Sequence, residues 1–222
     1  MTKGKQLAKL AKKRKKNVPH GYKGIAEYHE GAYECNYVSP YSKSAHNENA
    51  DVMLILQDWA SDESLSRPKD PNIVSLGYSP ELPTNKNLIA LLDTHFGIPL
   101  SDTYATNLFP FVKLGNMSSY IPSRDLMEAA INFAIPQIEV VSPKIVICLG
   151  LRVFNTISKS LEKPTPKNLV EAIPNHFKYK DTFIWAQSHP GGLGKANRNR
   201  GGIDRVSADW AAMASLLHGK AQ

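Results

Sequence analysis

The stretch Val52-Met53-Leu54-Ile55-Leu56-Gln57-Asp58 decides the fold. Five consecutive apolar side chains leave no polar face, the pattern of a strand covered on both sides in a parallel sheet. A second such run, Ile145-Val146-Ile147-Cys148-Leu149, closes on Gly150. Thr103-Tyr104-Ala105-Thr106 and Phe183-Ile184-Trp185-Ala186 have the aromatic and β-branched content of two further strands. Between these runs the apolar period is helical. Leu88, Leu91 and Leu92 share a face over residues 86–96, and Gly97 ends it. More helices are expected over 123–141 (kinked or split near Pro136), from Gly150 to Leu161, and over 204–217. Residues 162–180 read as irregular. Strands alternating with helices imply an α/β fold: a single domain over residues 24–222, with a central four-stranded parallel sheet flanked by helices.

Charge sets the first 23 residues apart. The chain has 222 residues, with 27 Lys and Arg, 20 Asp and Glu, and a formal net charge of +7. Nine of the 27 basic residues lie in 1–23 (Lys3, Lys5, Lys9, Lys12, Lys13, Arg14, Lys15, Lys16 and Lys23), with no acid among them, so the remainder is near neutral. Residues 1–23 are therefore expected to be a flexible basic arm, drawn to nucleic acid by counterion release. No run approaches the roughly 18 apolar residues of a membrane helix, so no membrane partner is expected. Cys35 and Cys148 are too few for a disulfide scaffold or an all-Cys metal site. His20, His29 and Cys35 lack metal-ligand spacing, and neither a metal nor a cofactor is assigned. The basic N-terminus lacks the apolar core of a secretion signal, so an intracellular monomer is expected, cytoplasmic if bacterial and nuclear or organellar if eukaryotic.

In open α/β sheets ligands bind beyond the carboxyl ends of the strands. That rule selects Gln57-Asp58-Trp59, Asn107-Leu108-Phe109 and Ser188-His189-Pro190-Gly191-Gly192-Leu193. Taken singly, Asp58 could cap a helix, Asn107 could hold a turn and His189 could sit in one; together they make a carboxylate, an amide and an imidazole at one edge. Lys195, Arg198, Arg200 and Arg205 follow in a Gly-rich loop suited to phosphate. Gly192-Leu193-Gly194-Lys195 lacks the first Gly and the Ser or Thr of a phosphate loop, and Gly77-Tyr78-Ser79 lacks the second Gly of a nucleophile elbow.

Over roughly residues 50–215 this ordered set resembles the uracil-DNA glycosylase superfamily. Gln57-Asp58, Thr106-Asn107-Leu108, Pro143-Lys144-Ile145-Val146-Ile147-Cys148-Leu149-Gly150 and Ser188-His189-Pro190-Gly191-Gly192-Leu193 are similar to that family's motifs, in its order. The resemblance implies a monofunctional glycosylase of base excision repair that flips a damaged base, uracil first, out of single- or double-stranded DNA. It implies that Asp58 positions the attacking water and that His189 stabilises the departing base. Base contacts would come from Gln57, Asn107 and Tyr78, with Phe109 as the alternative stacking ring. Leu193 would be the wedge, and Lys195, Arg198 and Arg200 would meet DNA. Trp59-Ala60 and Gly191-Gly192 stand where the family has Pro-Tyr and Ser-Pro. The rival expectation is a nucleic-acid-binding module of the same fold with lost or altered catalysis.

Overall fold

The computed structural model describes residues 1–217; residues 218–222, the end of the expected domain, lie outside them. Helix α1 (Lys3–Lys16) begins where the Thr2 hydroxyl accepts from the Lys5 N–H. A short strand β1 (Tyr22–Lys23) and a long irregular segment lead to β2 (Val52–Asp58). Helices α2 (Asp62–Leu65) and α3 (Pro71–Leu76) break up the polar stretch that follows. Then come α4 (Pro83–Phe96), β3 (Tyr104–Phe109) and β4 (Val112–Lys113). The helix expected over 123–141 is α5 (Ser123–Ala129), a π-helical turn (Ala130–Ala134) and α6 (Ile135–Val141). Pro136 has no N–H for the carbonyl four residues back, and the helix accommodates this by widening rather than splitting. The chain ends as β5 (Ile145–Leu149), α7 (Leu151–Ser160), α8 (Leu169–Ala172), β6 (Phe177–Tyr179), β7 (Thr182–Gln187), α9 (Gly192–Arg198) and α10 (Arg205–Leu217).

The main sheet has the order β3-β2-β5-β7-β6. Its first four strands run parallel, and β6 pairs antiparallel to β7, so the sheet is five-stranded and mixed rather than four-stranded. The extra strand lies in the segment read as irregular. It spans three residues and turns into β7 through Lys180-Asp181, where Lys180 has φ 52°, so neither a long period nor a glycine marks it in the sequence. The four parallel strands are apolar on both faces. Met53, Ile55, Val146 and Ile184 pack with Phe133, Ile138 and Phe154 on one side; Leu54, Leu56, Ile147 and Trp185 pack with Leu88, Leu92 and Trp210 on the other. No helix among the described residues is long and apolar enough to cross a membrane.

The first 23 residues correct the expectation of a flexible arm. Leu7, Ala11 and Arg14 of α1 are buried. The Arg14 guanidinium donates to both Glu34 carboxylate oxygens, at 2.8 and 2.5 Å, and to the Tyr37 carbonyl at 3.0 Å. Lys3 Nζ donates to the Val141 carbonyl at 2.8 Å, Lys13 Nζ to Asn132 Oδ1 at 2.7 Å, and β1 pairs with β4. The basic run thus divides between anchors (Lys3, Lys13, Arg14) and an exposed face (Lys5, Lys9, Lys12, Lys16).

Candidate active site

The strand register builds the site at the carboxyl edge. Leu56 pairs with Asn107 and Asp58 with Phe109. Asn107 shares a sheet face with Ala105, and Asp58 with Leu54 and Leu56, so they are diagonal neighbours with Cα atoms roughly 8 Å apart. The second strand was expected to stop before Asn107, but β3 runs on to Phe109, so Asn107 lies inside the strand and is fully buried. His189 stands two residues past β7, two strand spacings (roughly 10 Å) from β2. Between them β5 ends at Leu149 and is followed by Gly150, whose φ of 115° suits glycine and which has open space where a Cβ would stand. No side chain therefore rises from β5's end between Asp58 and His189.

The electrostatics are specific. Asp58 is nearly inaccessible, with 7 % of its side chain exposed, and Oδ2 lies 2.8 Å from Lys113 Nζ, outside hydrogen-bond alignment. Its other oxygen accepts from Gln57 Nε2 at 2.7 Å. His189 is exposed to solvent on one side and crowded by protein atoms on the other. That burial holds its pKa below 6.5, against the opposing pull of the Asp58 carboxylate. The Gly191 N–H donates to His189 Nδ1 at 3.0 Å, which leaves the neutral ring's proton on Nε2 as a donor. The Ser39 hydroxyl donates to Asn107 Oδ1 at 2.5 Å, while Asn107 Nδ2 is buried without a partner. Gln187 Oε1 and Ser188 Oγ, at the end of β7, are also buried and unpartnered. Such concentration is uncommon, since buried polar groups are normally paired.

Beside this edge lies a cavity of about 430 Å³, lined by Tyr41, Trp59, Ala60, Tyr78, Asn85 and Met117 among others. Tyr78 lies nearly parallel to Tyr41, with ring centroids 5.8 Å apart, so one of the expected stacking rings does face a cavity. Asp58, Asn107 and His189 are not in its lining; the continuous backbone Asp58-Trp59-Ala60 joins the two features. Phe109, the alternative ring, is 1 % exposed and packs against Tyr22 and Phe111, at 4.7 and 5.5 Å, around a different cavity. Its stacking role is therefore corrected: at the last residue of β3 the side chain is buried in the core cluster with Phe111 and Phe133.

The loop after His189 is helix α9 rather than a loose Gly-rich segment. Leu193 projects from it, 83 % exposed, and Lys195 and Arg200 are exposed. Arg198 is not free for phosphate. It donates to both Asp209 oxygens, at 2.6 and 2.9 Å, and ties α9 to α10. Lys113, Ser39 and Tyr41 were not singled out from the sequence. None has a motif of its own, and the lysine sits on the two-residue β4, which pairs with β1. Among the described residues no group of three or more His, Cys, Asp or Glu is placed to hold a metal. No protein-family model matches the chain, and a search of curated proteins finds no match.

Proposed function

We propose that the chain is a DNA glycosylase that hydrolyses the N-glycosidic bond of a flipped, deaminated base, uracil first. One observation carries this reading: a carboxylate and a neutral imidazole stand at the carboxyl ends of β2 and β7, within electrostatic range of each other and beside a buried, unpartnered amide donor. Bond cleavage leaves positive charge on the sugar and negative charge on the base. Asp58 is the group for the first and for the attacking water. His189 Nε2–H is the donor for an oxygen of the leaving base, an oxyanion-type role that costs no proton rearrangement. Asn107 Nδ2, its amide held by Ser39, favours a base carbonyl over an amino group, because a donor facing a donor leaves both unpaired. Base flipping costs a few kcal/mol, least in single strands or mismatches.

The test is incubation with uracil-containing single- and double-stranded oligonucleotides, then alkaline cleavage of abasic sites. Base release is expected. D58N should lower the single-turnover rate by about 10²–10⁴-fold and H189A by about 10²–10³-fold, with both variants folded. No release of uracil or any other deaminated base by the folded protein would overturn the proposal. The second reading, a binding module, is favoured by the full burial of Asn107, whose amide is closed off from solvent in this structure. It predicts salt-dependent DNA binding without base release.

A further inference from the structure

We propose that Lys113 keeps the Asp58 carboxylate ionised and oriented at the sheet edge, and so is a positioning residue for the chemistry proposed above, the catalytic part resting on that reading. The pair is deeply placed, with 3 % of the Lys113 side chain and 7 % of the Asp58 side chain exposed. Lysine is almost never so buried without a partner. The amine is also held from its own loop. Gly115, with φ 78°, turns the chain so that the Met117 carbonyl accepts from Lys113 Nζ at 2.5 Å. A side chain at Gly115 would meet the Ser119 hydroxyl at 2.6 Å, and the positive φ itself favours glycine. Strand pairing of Tyr22 with Lys113 and a bridge from Ser61 to Lys113 fix the lysine backbone on both sides.

The groups that meet Asp58 are few. Gln57 Nε2 donates to Oδ1, Lys113 Nζ stands 2.8 Å from Oδ2, and His189 lies within electrostatic range from the loop after β7. Gln57 is neutral and the histidine carries no charge near pH 7, so Lys113 is the cation the structure sets against the carboxylate among the described residues. A carboxylate this dry and unpaired takes up a proton instead of remaining charged. Protonated, it could neither accept a proton from water nor stabilise a cationic sugar. Gln57 fixes Oδ1 through a hydrogen bond, and the Lys113 ammonium sets its charge beside Oδ2.

The experiment uses the full chain with ¹³C-labelled aspartate carboxyls, D58N assigning the resonance. In K113M the Asp58 signal should titrate about 1–3 pH units higher than in the wild type, and K113R should restore most of the difference. Single-turnover base release at saturating DNA should fall at least about tenfold in K113M with DNA affinity unchanged, and K113M should add no further loss in the D58N background. Should K113M fail to fold, folding of K113M in the D58N background, where no charge is left unpaired, supports the proposal, and unfolding of both overturns it. An unchanged Asp58 titration in K113M overturns it, as does an additive rate loss in the D58N background. A shifted titration in a protein that releases no base sustains the ionising role and sinks the glycosylase reading.

Discussion

Arg14→Met is the sharpest test of how the N-terminal segment belongs to the fold. The arginine is 1 % exposed, and its guanidinium makes two hydrogen bonds to Glu34, at 2.8 and 2.5 Å, and others to the carbonyls of Cys35 and Tyr37, at 3.3 and 3.0 Å. Methionine replaces the stem but leaves Glu34, 17 % exposed, without its buried cation and with only Lys15 Nζ, at 4.0 Å, as a partner. Breaking one side of a buried pair costs about 3–5 kcal/mol. At 2–4 °C per kcal/mol for a chain of this size, melting should drop by roughly 6–20 °C. Burial alone would raise the Glu34 pKa, but the Arg14 hydrogen bonds and charge outweigh it and hold it below 4.5. The folded carboxyl therefore releases its proton more readily than the unfolded one. Its stabilisation is complete above about pH 4.5 and is lost as the pH falls through the folded value. The gap between wild type and R14M, followed by differential scanning calorimetry from pH 7 to pH 3, should narrow below pH 4.5. R14M/E34Q should regain part of the loss by removing the unpaired charge. A melting temperature within 2 °C of wild type at pH 7 would show that α1 is not docked in solution.

Gly194→Ala should impair base release, because the new Cβ would stand 2.1 Å from the His189 carbonyl oxygen and push the histidine loop outward; Gly192→Ala, with nothing within 4 Å, is the control expected to keep its rate. Because burial outweighs the pull of Asp58 on His189, the ring takes up its proton below pH 6.5, and the acid-side loss of base release should be centred below that pH in the wild type. A loss of activity centred at or above 6.5 would contradict the neutral donor. Replacing the exposed Lys5, Lys9, Lys12 and Lys16 with Gln should weaken duplex binding and lower the slope of log affinity against log salt by up to about 3.6, with the rate at saturating DNA unchanged; an unaltered slope would remove α1 from the DNA footprint.

What could be read from the chain depended on how many residues carried each signal. Val52–Asp58 and Ile145–Leu149 declare themselves because strands buried on both faces need unbroken apolar runs. Asp58 and His189 followed from the rule that such strands present chemistry at their carboxyl ends. Features resting on one or two residues did not show. Lys113 and Arg14 look like ordinary surface cations until a two-residue strand or a helix face turns them inward. Asn107 was placed past a strand that in fact continues through Leu108 and Phe109, so the amide is more deeply held than a loop asparagine. Composition also hid a division of labour, since lysines that anchor and lysines that face solvent are identical in a charge count.

That division bears on how the candidate site and the basic helix relate. Lys3, at the start of α1, bonds the Val141 carbonyl just before β5, so this end lies at the amino edge of the sheet. The other end leads through β1 to β4, which delivers Lys113 to Asp58 at the carboxyl edge. Helix α1 thus runs from one edge to the other, and its last turn, Lys13 to Lys16, finishes on the side where the chemistry is proposed. A docked helix orders its charges, whereas a loose arm spreads them over many positions. Polyanion binding along the α1 face would therefore have a defined direction toward the Asp58 edge, and removing residues 1–23 would remove β1 from β4 as well as charge from the surface. Such a deletion should disturb the support of Lys113 and hence of Asp58, so affinity and chemistry are not separable by truncation; only substitutions confined to the exposed lysines can separate them.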